Sequence, residues 1–421
     1  MPLIGCTPSL PVAPVRRAGG HGFIHRLAPV LIPAVVVAAL GCREDAHSPT
    51  APEPGPAFNA IATRALPFSQ TSAGYEHTCG VTTGDLAYCW GANWAGQLGD
   101  GTSIQRRLRP VRVAGGFRFR QMSAGFFNTC GVTTDNRAYC WGLNSEGQLG
   151  DGSQTTHDTP VRVAGGLRFR RVSPGNHHTC GVTTGDQVYC WGDNFSGKLG
   201  DGTTTSRLTP VRVASGLRFR DVSAGEHHTC GVTVGDRVYC WGYNGSGELG
   251  DGTTTGRLTP VRIRGWLPFR DVTTGKAIGI AHTCGVTTGD QAYCWGENFN
   301  GQLGDGTTTQ RQKPVRVATG LRFRRVAAGG AHSCGVTIGD RVYCWGWNVH
   351  GGLGDGSTTD RLTPVRVPGG VPFGQVTTGA FHTCALTTAA LAYCWGRNGW
   401  GELGDGTTSE RHRPVRVAGP M

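Results

Sequence analysis

The chain has 421 residues, a formal net charge of +12 and 16 cysteines, 14 of which recur as pairs ten residues apart. Seven oxidised pairs make sense only outside a reducing cytosol, so a bridged chain is not an ordinary cytosolic protein. The basic residues are spread evenly along the repeats, largely in RFR and PVRV segments, whereas nucleic-acid binding wants charge clustered on one face.

The N-terminus reads as an export signal. Arg16, Arg17 and Arg26 accompany the apolar run Ala28 to Leu40, APVLIPAVVVAAL, which ends in Gly41-Cys42. Such a run is too short to span a bilayer comfortably but suits the h-region of a signal peptide. ALGC resembles the bacterial lipobox, in which a small residue precedes an acylated cysteine, although Ala39-Leu40 reverses the usual order. The expectation is a signal peptide over 1–41, lipidation at Cys42, and a membrane-anchored lipoprotein of the bacterial cell envelope. A plainly secreted protein is the alternative. Losing the three arginines of 1–41 would leave a mature charge of +9. Residues 42–65 read as a Pro/Ala-rich tether. No later segment is apolar enough to cross a membrane.

From 66 to 420 one unit recurs seven times. The first cysteine of each pair falls at 79, 130, 180, 230, 284, 334 and 384, a period that defines a repeat architecture. One unit reads FRDVSAGEHHTCGVTVGDRVYCWGYNGSGELGDGTTTGRLTPVRI, with strand candidates FRDVSA, HTCGVT, RVYCWG and TPVRI and no helical period. Four strands per ~50-residue unit, with end units that look like the rest, predict an all-β, seven-bladed β-propeller of four-stranded antiparallel blades. An open solenoid is the runner-up, but it would want atypical capping repeats.

In HTCGVTVGDRVYCWG the turn formers Gly235 and Asp236 separate two runs rich in β-branched and aromatic residues. A three-residue connection centred on Gly235 sets Cys230 opposite Cys240, with Cα atoms ~4.5 Å apart and within disulfide reach. A metal half-site is the poorer reading, because zinc ligands usually come closer together and in fours. The same logic pairs Cys79 with Cys89, Cys130 with Cys140, Cys180 with Cys190, Cys284 with Cys294, Cys334 with Cys344, and Cys384 with Cys394. Each small loop so closed contributes about 2–3 kcal/mol. Val238 and Cys240 face one way and Tyr239 and Trp241 the other, neither side polar, as suits a blade between two neighbours. Tyr239, opposite Gly231, is expected to cover its bare backbone.

The pattern HTCGVT..GD.VYCWG.N..GQLGDGTT...PVRV resembles the repeat of the regulator of chromosome condensation family, whose members form seven-bladed propellers, and its Cys-bearing form resembles an exported bacterial branch. The resemblance implies a binding or regulatory role such as guanine-nucleotide exchange. The exchange-factor members insert a wedge into a blade, whereas the sizeable insertion here is four residues near Lys276 to Ile280.

No catalytic constellation, cofactor motif or metal set stands out. His77, His178, His228, His282, His332 and His382 form a ring that invites a metal reading, but a side chain satisfying a buried turn explains them better, with Asn128 in the second unit. The LGDG aspartates, from Asp100 to Asp405, offer one carboxylate per loop where Ca²⁺ takes six to eight oxygens, so they read as turn formers. The tryptophans of CWG recur without variation and read as core. Positions that vary are more informative. Trp94, Phe195, Tyr243, Phe299, Trp347 and Trp400 follow CWG and are candidate binding residues, because aromatic side chains dominate interface hot spots. A second variable set is Tyr75, Phe126, Phe127, Asn176, Glu226 and Phe381. The expectation is a monomeric, non-enzymatic scaffold presenting these loops to a protein or envelope polysaccharide, with no nucleic-acid partner. The alternatives are an exchange-factor-like regulator and an envelope glycosidase or lyase, which would need paired carboxylates in a cleft.

Overall fold

The computed structural model describes residues 65–276 and 281–420. The leader, Cys42 and the tether up to residue 64 lie outside the described residues. Among the described residues, 28 strands form seven four-stranded sheets, each built from one repeat with its strands in sequence order. Blade 1 consists of Phe68–Ala73, His77–Thr82, Ala87–Ala92 and Arg106–Arg112; blade 4 of Phe219–Ala224, His228–Thr233, Val238–Gly242 and Arg257–Arg262. Strands pair antiparallel throughout blade 4 and its counterparts, so the seven-bladed propeller read from the repeat is the fold observed. The first strands line a central channel. Connections between strands one and two, and three and four, emerge on one face, termed the loop face. The turns between strands two and three and the blade-to-blade connections emerge on the other, the turn face.

The hairpin carries the expected register, Cys230 opposite Cys240 and Gly231 opposite Tyr239. Its turn is Val234-Gly235-Asp236, closed by Thr233 N–H donating to the Arg237 carbonyl at 2.8 Å. The residue in the left-handed region is Asp236, φ 62°, rather than Gly235. Asp85, Asn136, Asp186, Asp290 and Asp340 repeat this, and Asp and Asn tolerate that conformation better than most side chains. The structure joins all seven cysteine pairs, with Cα atoms 4.0–4.1 Å apart.

Blades meet through complementary faces. Cys180, Val182, Val188 and Cys190 of blade 3 bury against Phe219, Val222 and Trp241 of blade 4, and an equivalent cluster fills each other interface. Trp241 lies over Gly200, where φ is 71° and a Cβ would come 2.6 Å from Trp241 Nε1, so no other residue fits there. The aromatic nearest Gly231 is Phe219, not the expected Tyr239; a Cβ on Gly231 would meet the Phe219 ring at 2.8 Å. The bulge between Phe219 and Asp221 re-aims that phenylalanine across the second strand.

Side chains of the preceding blade cover the inner edges of the first strands of blades 1 to 6. Ser173 Oγ accepts Ala224 N–H at 3.1 Å, Ser223 Oγ accepts Thr274 N–H at 3.1 Å, and Thr377 Oγ1 accepts Ala73 N–H at 2.9 Å. Gln121 both donates to the Val172 carbonyl and accepts its N–H, and Gln70 and Gln375 do the same to their neighbours. The propeller closes without exchanging a strand, because blades 7 and 1 use the contacts found at the other interfaces.

Blade 7 departs from the turn pattern, placing Ala390 at φ 64°. Alanine loses about 1–2 kcal/mol there. Ala390→Asn, the residue of blade 2, is therefore expected to stabilise the protein by about 1 kcal/mol in urea titrations. An unchanged midpoint would show that the turn carries no strain.

Candidate functional site

On the loop face, each long connection is held by an asparagine and an aspartate. Asn244 Oδ1 accepts Leu249 N–H at 2.9 Å, and its Nδ2 donates to the Thr253 and Thr255 carbonyls at 3.0 and 3.1 Å. Asp251 accepts the Thr253 N–H and hydroxyl and pairs with Arg257 at 2.7 Å. The carboxyls of Asp201, Asp251 and Asp305 are pulled below their usual range; burial opposes this, but the threonine and arginine hydrogen bonds outweigh it. The LGDG aspartates thus shape the loop, as expected. Their asparagine partners are signalled in the sequence by the Asn that recurs two residues after CWG in every unit.

The histidines reach further than the local turn expected of them. Nε2 of His178, His228, His332 and His382 lies 2.8–2.9 Å from the Oγ1 of Thr229, Thr283, Thr383 and Thr78 in the next blade. Each of those hydroxyls donates its single proton to a backbone carbonyl, Lys198 for Thr229 and Glu248 for Thr283. The histidine must then donate from Nε2, which leaves Nδ1 bare in His77, His228 and His282. A second proton there would be buried without an acceptor, so the rings stay neutral. Burial drives His77, His228, His282 and His382 down to about 3 and His332 to about 4.

The six loop aromatics do not act as one ring. Phe195 and Phe299 are the most exposed, at 71% and 66%; Trp94 and Tyr243 are less so, and Trp347 and Trp400 are half-buried. Trp94 and Trp347 instead join the second variable set. Ring centroids run Trp94–Phe127 4.0 Å, Phe127–Phe126 3.9 Å, Phe126–Tyr75 4.2 Å, Tyr75–Phe381 5.8 Å and Phe381–Trp347 5.4 Å. This is a continuous arc over blades 2, 1, 7 and 6. Arg397 lies over Phe381 at 5.4 Å and pairs with Glu76 at 3.0 Å. The opposite half of the face carries Asn176, Glu226, Lys276 and the Lys198–Asp193 pair at 2.7 Å, alongside the exposed Phe195, Tyr243 and Phe299. Lys276 Nζ donates across the channel mouth to the Ala124 carbonyl at 3.0 Å, and burial brings it down to about 8.

Glu248 and Glu402 sit beneath the loops, accepting the N–H groups of Ser246 and Trp400 as Gln97 and Gln302 do in their blades. Burial pushes both carboxyls up to about 7.

The arginines are not evenly spread as the sequence suggested. Arg120, Arg170, Arg220, Arg270 and Arg324 all begin first strands, so they gather at the turn face around the channel; blades 1 and 7 carry Ser69 and Gly374 instead. Linear spacing hid this, since one residue per 50 becomes a neighbour once the blades close. Inside the channel Arg171 pairs with Asp221 at 2.9 Å and Arg325 with Asp271 at 3.1 Å. Among the described residues no cluster of three or more His, Cys, Asp or Glu is placed to hold a metal, and no helix is long and apolar enough to cross a membrane.

These features define a propeller braced by one disulfide per blade, with a variable loop face. The RCC1-like domain model matches residues 37–334, and the regulator of chromosome condensation (RCC1) repeat matches 340–386 and 391–421. The chain belongs to the RCC1-like family. It is 38% identical over 90 residues to the Arabidopsis thaliana ultraviolet-B receptor UVR8 and 37% over 81 residues to the human X-linked retinitis pigmentosa GTPase regulator. Those stretches span 19% and 8% of the two relatives' lengths. Among solved structures, yeast RCC1 (Prp20) bound to Kap60 superposes with a TM-score of 0.70 at 20% identity, covering 79% of this chain and 83% of that one. Human WBSCR16 gives 0.69 at 21%, covering 76% and 87%. At these identities the likeness is one of fold.

The buried histidines give pH a signed effect. Unfolded histidine takes up its proton near 6.5, whereas the folded rings stay neutral to about pH 4, so stability falls as pH drops through that window. Glu248 and Glu402 act oppositely but are fewer. The urea midpoint is expected to be lower at pH 5 than at pH 7, and His228→Asn to flatten the slope by up to about 1.4 kcal/mol per pH unit. A slope unchanged in that variant would refute the neutral ring. Conversely, Glu248→Gln should stabilise by about 1–2 kcal/mol at pH 8, where the buried carboxyl must ionise, and have little effect at pH 4. Equal effects at both pH values would count against the raised carboxyl.

Proposed function

We propose that this protein is a non-enzymatic binding scaffold, exported and tethered through Cys42, that docks a protein partner on the aromatic arc of its loop face. The observation that carries this reading is the arc itself. The interface tryptophan, Trp241 and its six counterparts, is the same in every blade, whereas the loop aromatics change from one copy to the next. Trp94, Phe127, Tyr75, Phe381 and Trp347 differ in this way, yet their rings touch in series. Contiguous, partly exposed aromatics beside an arginine are the composition of an interface hot spot. The recurring polar groups are spent on the propeller, the histidines between blades and the aspartates within loops. The seven disulfides fit an extracellular protein. A propeller of this fold that engages proteins is yeast Prp20, crystallised with Kap60 and described with binding properties to Gsp1p and histones.

Pull-down of envelope extract with the exported protein tests this. Trp347→Ala is expected to keep the wild-type melting temperature and to lose about thirtyfold in affinity for the captured partner, the effect of roughly 2 kcal/mol. Phe195→Ala, exposed but outside the arc, should leave capture unchanged. Trp241→Ala should lose about 3–5 kcal/mol of stability. Capture insensitive to Trp347→Ala would make the arc loop packing, and capture of a polysaccharide would keep the face but change the partner.

A further inference from the structure

On the turn face the channel opens into a basin of about 490 Å³ whose lining comprises five arginines, three glutamines and one serine, with no carboxylate. The arginines are Arg120, Arg170, Arg171, Arg220 and Arg325. That volume lies within the range of small-molecule sites. Beyond it the channel narrows to a cavity of about 120 Å³, which holds the Arg171–Asp221 and Arg325–Asp271 pairs.

Part of this charge is structural. Arg120 donates to the Phe169 and Arg170 carbonyls at 3.0 and 2.8 Å, and Arg170 donates to the Phe219 carbonyl at 3.0 Å, so each ties its blade to the next. The fold does not require them, because Ser69 and Gly374 hold the same position in blades 1 and 7. Nor are they all neutralised. Arg170 and Arg220 pair with Asp186 and Asp236 of their own turns. In blade 2 the turn is the same but its carboxylate stands one residue earlier. Asn136 takes the left-handed place, and Asp135 pairs with Arg137 at 2.8 Å and Arg168 at 3.5 Å. Arg120 therefore meets carbonyls where its counterparts meet a carboxylate. Burial and the neighbouring Arg170 pull its guanidinium below the usual arginine range, the direction expected of a cation lacking a counter-charge.

We propose that this basin is an anion site for a compact ligand bearing clustered phosphate groups. Guanidinium forks match phosphate oxygens bidentately; Arg120 brings the charge that no aspartate offsets, and Arg170, Arg171, Arg220 and Arg325, each already paired with an aspartate, bring further N–H donors from three other blades. The glutamines at the wall, Gln70, Gln121 and Gln375, are committed to the adjoining strands and hold the basin's shape. The ligand can be a free polyphosphate or the phosphorylated headgroup of a lipid; the recognition chemistry is the same. This site is on the face opposite the aromatic arc and stands independently of it.

The test is calorimetric titration of the disulfide-bonded protein with tripolyphosphate, alongside sedimentation with phosphatidylcholine vesicles containing or lacking phosphatidic acid. Arg120→Ser, which copies blade 1, is compared with Arg366→Ser, which removes one exposed arginine at the outer edge. The expected result is binding at least tenfold weaker in Arg120→Ser and unchanged in Arg366→Ser. Tripolyphosphate should also raise the wild-type melting temperature more than sodium chloride of equal ionic strength, a readout that needs no variant. Binding confined to phosphatidic acid vesicles, and still lost in Arg120→Ser, supports the site with a lipid as its source. No binding of either probe, equal losses in the two variants, or equal displacement by duplex DNA in wild type and Arg120→Ser would overturn it.

Discussion

The fold turns on one backbone carbonyl per blade. Lys198 O accepts both Trp241 Nε1 at 2.9 Å and Thr229 Oγ1 at 2.9 Å, and Gln97, Gln148, Glu248, Gln302, Gly352 and Glu402 supply the same acceptor elsewhere. The acceptor belongs to one blade and both donors to the next. From this junction follow the invariance of the tryptophan, the glycine beneath it, and the hydroxyl residue immediately before the first cysteine of each pair. The single proton of that hydroxyl in turn fixes the tautomer of the preceding blade's histidine.

A junction so demanding leaves few positions free, and the variable residues fall where it does not reach. The tips of the first connections, Tyr75, Phe126, Asn176, Glu226 and Lys276, and the residues after CWG, share the loop face. The openings of the first strands share the turn face. One scaffold thus offers two chemically different surfaces, aromatic above and cationic below, separated by the length of a strand.

Much of this was legible in the sequence because the constraint is local. A cysteine pair straddling a three-residue turn specifies its own register, and Cys230 opposite Cys240 needed no knowledge of the rest of the chain. Blade count and closure followed from the period. What escaped depends on radial neighbours roughly 50 residues apart. Phe219 rather than Tyr239 covers Gly231 because a bulge turns it, and His228 seeks Thr283 rather than its own turn. Trp94 and Trp347 belong with Phe127 and Phe381, a grouping visible only once two sets of loops stand side by side. The arginines looked evenly distributed because they are even in sequence and clustered in space.

The way the propeller closes has a topological consequence. Ala73 N–H to Thr377, Thr78 to His382 and Trp90 to the Glu402 carbonyl make the last interface chemically equal to the other six. The molecule therefore has no seam. Ala65 and Pro420 line one common pocket, so the two ends of the described chain lie side by side. A polypeptide opened between blades 3 and 4 and rejoined across that pocket would own the same seven junctions and the same two faces. Circular order, rather than the place where the chain starts, is what the architecture encodes.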